Sequence, residues 1–101
     1  MSISATYVEA EDILTIIVKG RFDFSSLQAF RNTYENLPKK PAHYVVELAE
    51  SDYLDSSALG MLLALRDYAG GDTANIRIAH CNPDIRKILV ITKLDELFKV
   101  E

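Results

Sequence analysis

Few residues in this chain could do chemistry on their own. They are the serines of Asp55-Ser56-Ser57, the histidines His43 and His80, the thiol of Cys81, and Asp23 in Gly20-Arg21-Phe22-Asp23. A serine, a histidine and an acid together could attack an acyl group, but nothing in the spacing puts Ser56 beside either histidine. Two histidines without ligand spacing make no metal site, and both read as ordinary strand or strand-end residues. One cysteine makes neither an intrachain disulfide nor a cysteine cluster, so Cys81 reads as a small buried hydrophobe. A phospho-aspartate receiver would need paired acids after its first strand, and Asp23 has no such neighbour. No glycine-rich phosphate loop is present. The expectation is a binding protein without cofactor or metal, and not an enzyme.

The serine pair has its own setting. An apolar strand leads into the polar segment Glu50-Ser51-Asp52-Tyr53-Leu54, and a helix starts at the serines. Asp55 or Ser56 can cap that helix. Its free N–H groups and partial positive charge would receive a phosphate on Ser56 without melting the first turn. Glu47, Glu50, Asp52 and Asp55 precede the serine closely. A phosphate would add about −1.5 to −2 charges there and repel a partner that fits only a hydroxyl. The residues by themselves leave open whether Ser56 is a simple cap or a switch.

The elements that must hold these groups follow from periodicity. Ile3-Ser4-Ala5-Thr6-Tyr7 alternates as a half-buried strand. Residues 13–19 form a β-branched apolar run that Gly20 ends, and the two strands read as an antiparallel hairpin. Ser25 opens a helix through a Ser25-x-x-Gln28 capping box. Leu27, Phe30, Tyr34 and Leu37 line its apolar face, and Pro38 and Pro41 stop it. Residues 43–48 make a third strand, 56–69 a second helix closed by Gly70-Gly71, and 76–79 a fourth strand. Asn82-Pro83-Asp84 starts a third helix, and Leu94, Leu97, Phe98 and Val100 are expected to dock the tail. Residues 58–65 are apolar nearly all round. Leu59, Leu62 and Leu63 are assigned to the core and Leu65 to a buried position. Ala58 and Met61 are assigned to a partner surface, with close approach of another backbone explaining Gly60.

The fold expected is α/β: a mixed, mostly parallel sheet of four to five strands with an N-terminal β-hairpin and helices packed on it. At 101 residues with 49% apolar side chains the chain suffices for one domain, residues 1–101. The net charge of −4 disfavours nucleic acid. Lysine and arginine never run longer than a pair such as Lys39-Lys40. Neither a signal peptide nor a run of about 20 apolar residues is visible, so a cytoplasmic protein without membrane contact is expected.

The run Asp55-Ser56-Ser57-Ala58-Leu59-Gly60-Met61-Leu62 after an apolar strand resembles the phosphorylation motif of bacterial anti-sigma factor antagonists, which are STAS domains. Gly20-Arg21-Phe22-Asp23 is similar to the family's Gly-x-x-Asp segment, and residues 82–89 to its late helix. The resemblance implies a partner-switching protein in transcription control. Its unphosphorylated form would bind a serine kinase-type anti-sigma factor. That kinase would modify Ser56, with Ser57 as runner-up, and a PP2C-type phosphatase would reset it. Asp23, Asp52, Asp55, Ser57, Ala58 and Met61 would form the partner surface. The Gly20-Arg21-Phe22-Asp23-Phe24 run is similar, more loosely, to antagonists controlling motility and biofilm formation. An alternative within the family is an unphosphorylated subunit scaffolding a transporter or another regulatory complex. Two departures stand out. Ala58 replaces a frequent glycine, and the sequence stops at Glu101 where many members continue into a further helix, which implies a partner set of its own.

Overall fold

Residues 9–12 turn the chain back on itself. Asp12 takes a left-handed conformation (φ 54°) and accepts a 2.6 Å hydrogen bond from the Tyr7 hydroxyl, a role short polar side chains favour. The turn joins β1 (Ser2–Val8) to β2 (Ile13–Phe22) in an antiparallel pair. The computed structural model describes residues 2–101. Period-two alternation in β2 sends Leu14, Ile16 and Val18 into the core and leaves Ile13, Thr15 and Ile17 half-buried on the other face.

Gly20 does not end β2. Its positive φ of 82° lets the strand shift register and run on to Phe22, since a residue without Cβ adopts that conformation freely. The extension pairs with β4 (Ser51–Leu54) in parallel, Arg21 opposite Tyr53 and Phe22 opposite Leu54. The polar character of this segment predicts a loop, and it is a strand. Ser51 and Leu54 are buried at its two ends, and the Ser51 hydroxyl donates to the Val18 carbonyl at 2.7 Å. Its backbone is satisfied by the overrun of β2, which local polarity could not reveal.

The first helical turn also starts earlier than expected. Asp23 caps a short 3-10 turn, Phe24–Ser26, which leads into α1 (Leu27–Glu35). Ser25 and Gln28 form no capping box. The Ser25 hydroxyl donates to Asp23 Oδ1 and the Gln28 amide donates to Asn32. Phe30 and Tyr34 are buried, as periodicity required, and stack in a chain from Phe22 through Phe30 and Tyr34 to Tyr68 with centroids 5.0–5.9 Å apart.

The remaining elements are β3 (His43–Glu47), α2 (Ser56–Tyr68), β5 (Ile76–Ala79), α3 (Pro83–Ile91) and β6 (Lys99–Val100). The sheet order is β1-β2-β3-β5-β6, with β4 beside the end of β2. All pairs but β1–β2 are parallel. The mixed, mostly parallel architecture is the expected one. The described residues form six strands rather than four or five, because the polar segment 51–54 is a strand and not a loop.

Helix α2 buries Ala58, Met61, Leu62 and Leu65, one stripe at i, i+3, i+4 and i+7. Leu63 is 41% exposed and Leu59 only half-buried. The assignment of Leu63 to the core and of Ala58 to the surface is therefore reversed. The apolar stretch 58–65 carries no period, so its neighbours choose the face. Leu65 is buried as expected. Gly70 (φ 124°) turns the chain out of α2. A Cβ there would stand 2.7 Å from the Thr73 hydroxyl. Asn82 caps α3 through a 2.8 Å bond from the Ile85 N–H. In the tail Leu94 and Phe98 join the core, Val100 packs against it, and Leu97 stays exposed.

Candidate functional site

The ends of β2 and β4 lie side by side, so the residues that follow them meet. Asp23 follows Phe22 and Asp55 follows Leu54 across that parallel pair. The Asp55 N–H donates to the Phe22 carbonyl at 3.3 Å. Each aspartate then caps the helical turn that follows it. Two N-caps more than thirty residues apart in sequence thus stand together at one end of the sheet.

Asp55 is the cap of α2, in extended conformation, and its Oδ1 accepts from the Ala58 N–H at 2.9 Å. Ser56 is therefore the first residue of the helix, exposed, while Ser57 is half-buried. The capping role belongs to Asp55, which leaves the Ser56 hydroxyl without a structural task in the first turn.

Asp23 is held more tightly. Its Oδ1 accepts from the Ser25 N–H at 3.0 Å and the Ser25 hydroxyl at 2.6 Å, and Oδ2 faces Arg21 Nε at 3.5 Å. The Ser25 hydrogen bond and then Arg21 favour the charged form, so the carboxyl sits below its ordinary value of 3.8. Arg21 lies over the Tyr53 ring, 3.8 Å from guanidinium carbon to centroid. Asp52 points to solvent on β4.

A shallow apolar depression of about 250 Å³ adjoins the serines. Phe24, Leu27, Ser57, Gly60, Met61 and Ala64 line it. Phe24 is 69% exposed, unusual for a phenylalanine. A Cβ at Gly60 would meet nothing within 4 Å, so no backbone of this chain approaches it. Met61 is 4% exposed and floors the depression, while Ala58 is fully buried. Ala58 thus presents no surface, contrary to expectation. Sequence reasoning missed Phe24 and Tyr53; the aromatic-rich run Phe22-Asp23-Phe24 was the available signal.

The other candidates lie elsewhere. The His80 ring engages Glu47 at 2.8 Å and His43 engages Asn75. Cys81 is half-buried rather than buried, and burial pushes its thiol up. The described residues hold no cluster of three or more metal-ligating side chains. No described helix is long and apolar enough to cross a membrane.

This arrangement of an N-terminal hairpin, parallel strands and helices has known counterparts. The family model described as "Mlab, STAS domain" matches residues 5–100. The chain belongs to the STAS domain family. A STAS-domain-containing protein of Pseudomonas aeruginosa (strain UCBPP-PA14) is 55% identical over 87 residues, 86% of each chain. Among solved STAS folds, a candidate anti-sigma factor antagonist of Thermotoga maritima superposes with a TM-score of 0.82 at 17% identity, over 97% of this chain and 84% of that one. The phosphorylated form of the Bacillus cell fate determinant SpoIIAA gives 0.75 at 14%, over 99% and 91%. A sulfate transporter family protein of Wolinella succinogenes gives 0.74 at 9%, over 86% and 75%. These likenesses establish the STAS fold, which antagonists and transporter domains share.

Proposed function

We propose that this STAS domain is an anti-sigma factor antagonist, a cytoplasmic binding switch controlled by phosphorylation of Ser56. The observation that carries the reading is the exposed Ser56 at the first position of α2, freed from capping by Asp55, whose N–H bonds the Phe22 carbonyl just before Asp23. A kinase can reach this hydroxyl, and a phosphate on it meets the positive end of the helix dipole. The unphosphorylated face binds a serine kinase-type anti-sigma factor through Asp23, Asp52, Asp55 and Ser57, with Phe24 and Met61 supplying apolar contact. Phosphate adds charge beside Asp55 and Asp23 and repels that partner. A PP2C-type phosphatase restores the bound state, and transcription, with motility genes as the first readout, is the output.

The test is intact-protein mass spectrometry and pull-down with the cognate kinase. Modification confined to Ser56, with loss of binding in Ser56→Asp and retention in Ser56→Ala, is the expected result. Binding by Ser56→Asp equal to wild type would end the switch reading.

A second reading is a scaffolding subunit of a transporter. The transporter-family protein that shares the fold supports it. It predicts stable co-purification with a membrane complex, unaffected by Ser56→Asp.

A further inference from the structure

The two edges of the sheet differ. At one side β6 is two residues long, and Lys99 stands in its exposed position. Such an edge is too short and too charged to recruit another strand. At the other side β1 is seven residues long, Ser2-Ile3-Ser4-Ala5-Thr6-Tyr7-Val8, and pairs only with β2. It carries no proline and no charge. Its outer row of N–H and C=O groups has none of the devices that usually protect an edge.

β1 is also self-complementary. With Ala5 placed opposite Ala5 of an antiparallel copy, Ile3 meets Tyr7, Ser4 meets Thr6 and Ser2 meets Val8. Directly opposed residues share a face. The apolar Ile3–Tyr7 pairs therefore fall together on the helix-covered side, where Ile3 and Tyr7 already pack on the core. The hydroxyl pairs fall on the open side. Glu9 and Glu11 lie beyond the paired segment, so no like charges meet across the two-fold axis.

A second observation points to the same register. A mainly apolar hollow of about 440 Å³ lies beside the end of β1, lined by Tyr7, Leu37 and Pro38 with Glu9 and Lys39. In the register above, Ile3 of a second copy stands next to Tyr7 and so at this hollow. Symmetry fills it twice, once in each copy.

We propose that β1 is a homodimerisation edge, pairing antiparallel with β1 of a second copy of this chain about Ala5. Five strands of each copy would then run on as one ten-stranded sheet, within the usual limit of about ten strands. The interface is isologous, so it closes at two copies and does not propagate.

Ala5 is exposed on the edge, and its substitution tests the axis itself. Sedimentation analysis from micromolar to millimolar concentration should show the mass of the wild type doubling. Ala5→Lys and Ala5→Glu should each remain monomeric, because like charges meet at the axis, and an equimolar mixture of the two should recover the dimer. In a Cys81→Ser background, Ala5→Cys should form a disulfide-linked dimer on mild oxidation and Val8→Cys should not. A wild type that stays monomeric at millimolar concentration overturns the proposal. So does a dimer that survives Ala5→Lys, or failure of folded Ala5→Cys to cross-link. Protection of the β1 amides only in the presence of a different protein would assign the edge to that partner and equally overturn it.

Discussion

The Arg21 guanidinium bridges Tyr53 and Asp23: its carbon lies 3.8 Å from the Tyr53 ring centroid and its Nε 3.5 Å from Asp23 Oδ2. The contact exists because Gly20 lets β2 run on beside β4, which sets Arg21 opposite Tyr53. Both groups are partly exposed, so the pair is worth about 0.5–1 kcal/mol. Arg21→Ala should cost no more than that in urea denaturation. It should weaken partner capture more than stability, because it removes the cation facing Asp23 Oδ2 while Ser25 still holds Oδ1.

Asp55 and Ser56 should separate cleanly. Removing the Asp55 cap by Asp55→Ala should cost about 1 kcal/mol in stability, whereas Ser56→Ala should stay within about 0.5 kcal/mol, as for a surface residue. Equilibrium unfolding of the two variants checks this. A large loss in Ser56→Ala would mean that the serine, not the aspartate, caps α2.

Acid should act on Asp23. Its folded carboxyl titrates below the ordinary 3.8 because Ser25 and Arg21 favour the charged form. A depressed folded value contributes stability above the ordinary value, and that contribution is lost as pH falls from there through the folded one. NMR titration of the side-chain carboxyl should give a midpoint below 3.8. Asp23→Asn should flatten the acid limb of the stability curve below about pH 4.

The buried face of α2 is testable by paired truncation. Leu62→Ala removes a fully buried side chain and should cost about 2–5 kcal/mol. Leu63→Ala should cost less than about 1 kcal/mol, since much of that side chain already faces water. Thermal unfolding of both variants distinguishes this stripe from the one expected from sequence.

Gly60→Ala should raise stability by about 0.5–1 kcal/mol, since the new methyl enters open space within a helix. The same methyl would raise the floor of the depression beside Ser57. If the anti-sigma factor seats there, its affinity should fall while the melting temperature rises. Parallel calorimetry of unfolding and binding would detect that opposite movement.

Local chemistry was sufficient for much of this protein. The hairpin, the three helices and their amphipathic faces in α1 and α3, and the Asn82-Pro83 start follow from alternation, capping and proline placement, all of which act within a few residues. The helix start at Asp55-Ser56 and the mixed parallel sheet were likewise legible. Three matters were settled only by tertiary structure. Residues 51–54 carry too little apolar pattern to read as a strand, and become one because the overrun of β2 supplies their hydrogen bonds. Residues 58–65 of α2 are apolar on every side, so only packing against the sheet and α1 decides that Ala58 and Met61 face inward and Leu63 outward. The meeting of Asp23 with Asp55 depends on the parallel pairing of strands far apart in the chain, which no local window contains. Ser56 was visible as a residue from the start; its release from capping, and its company, came from the fold.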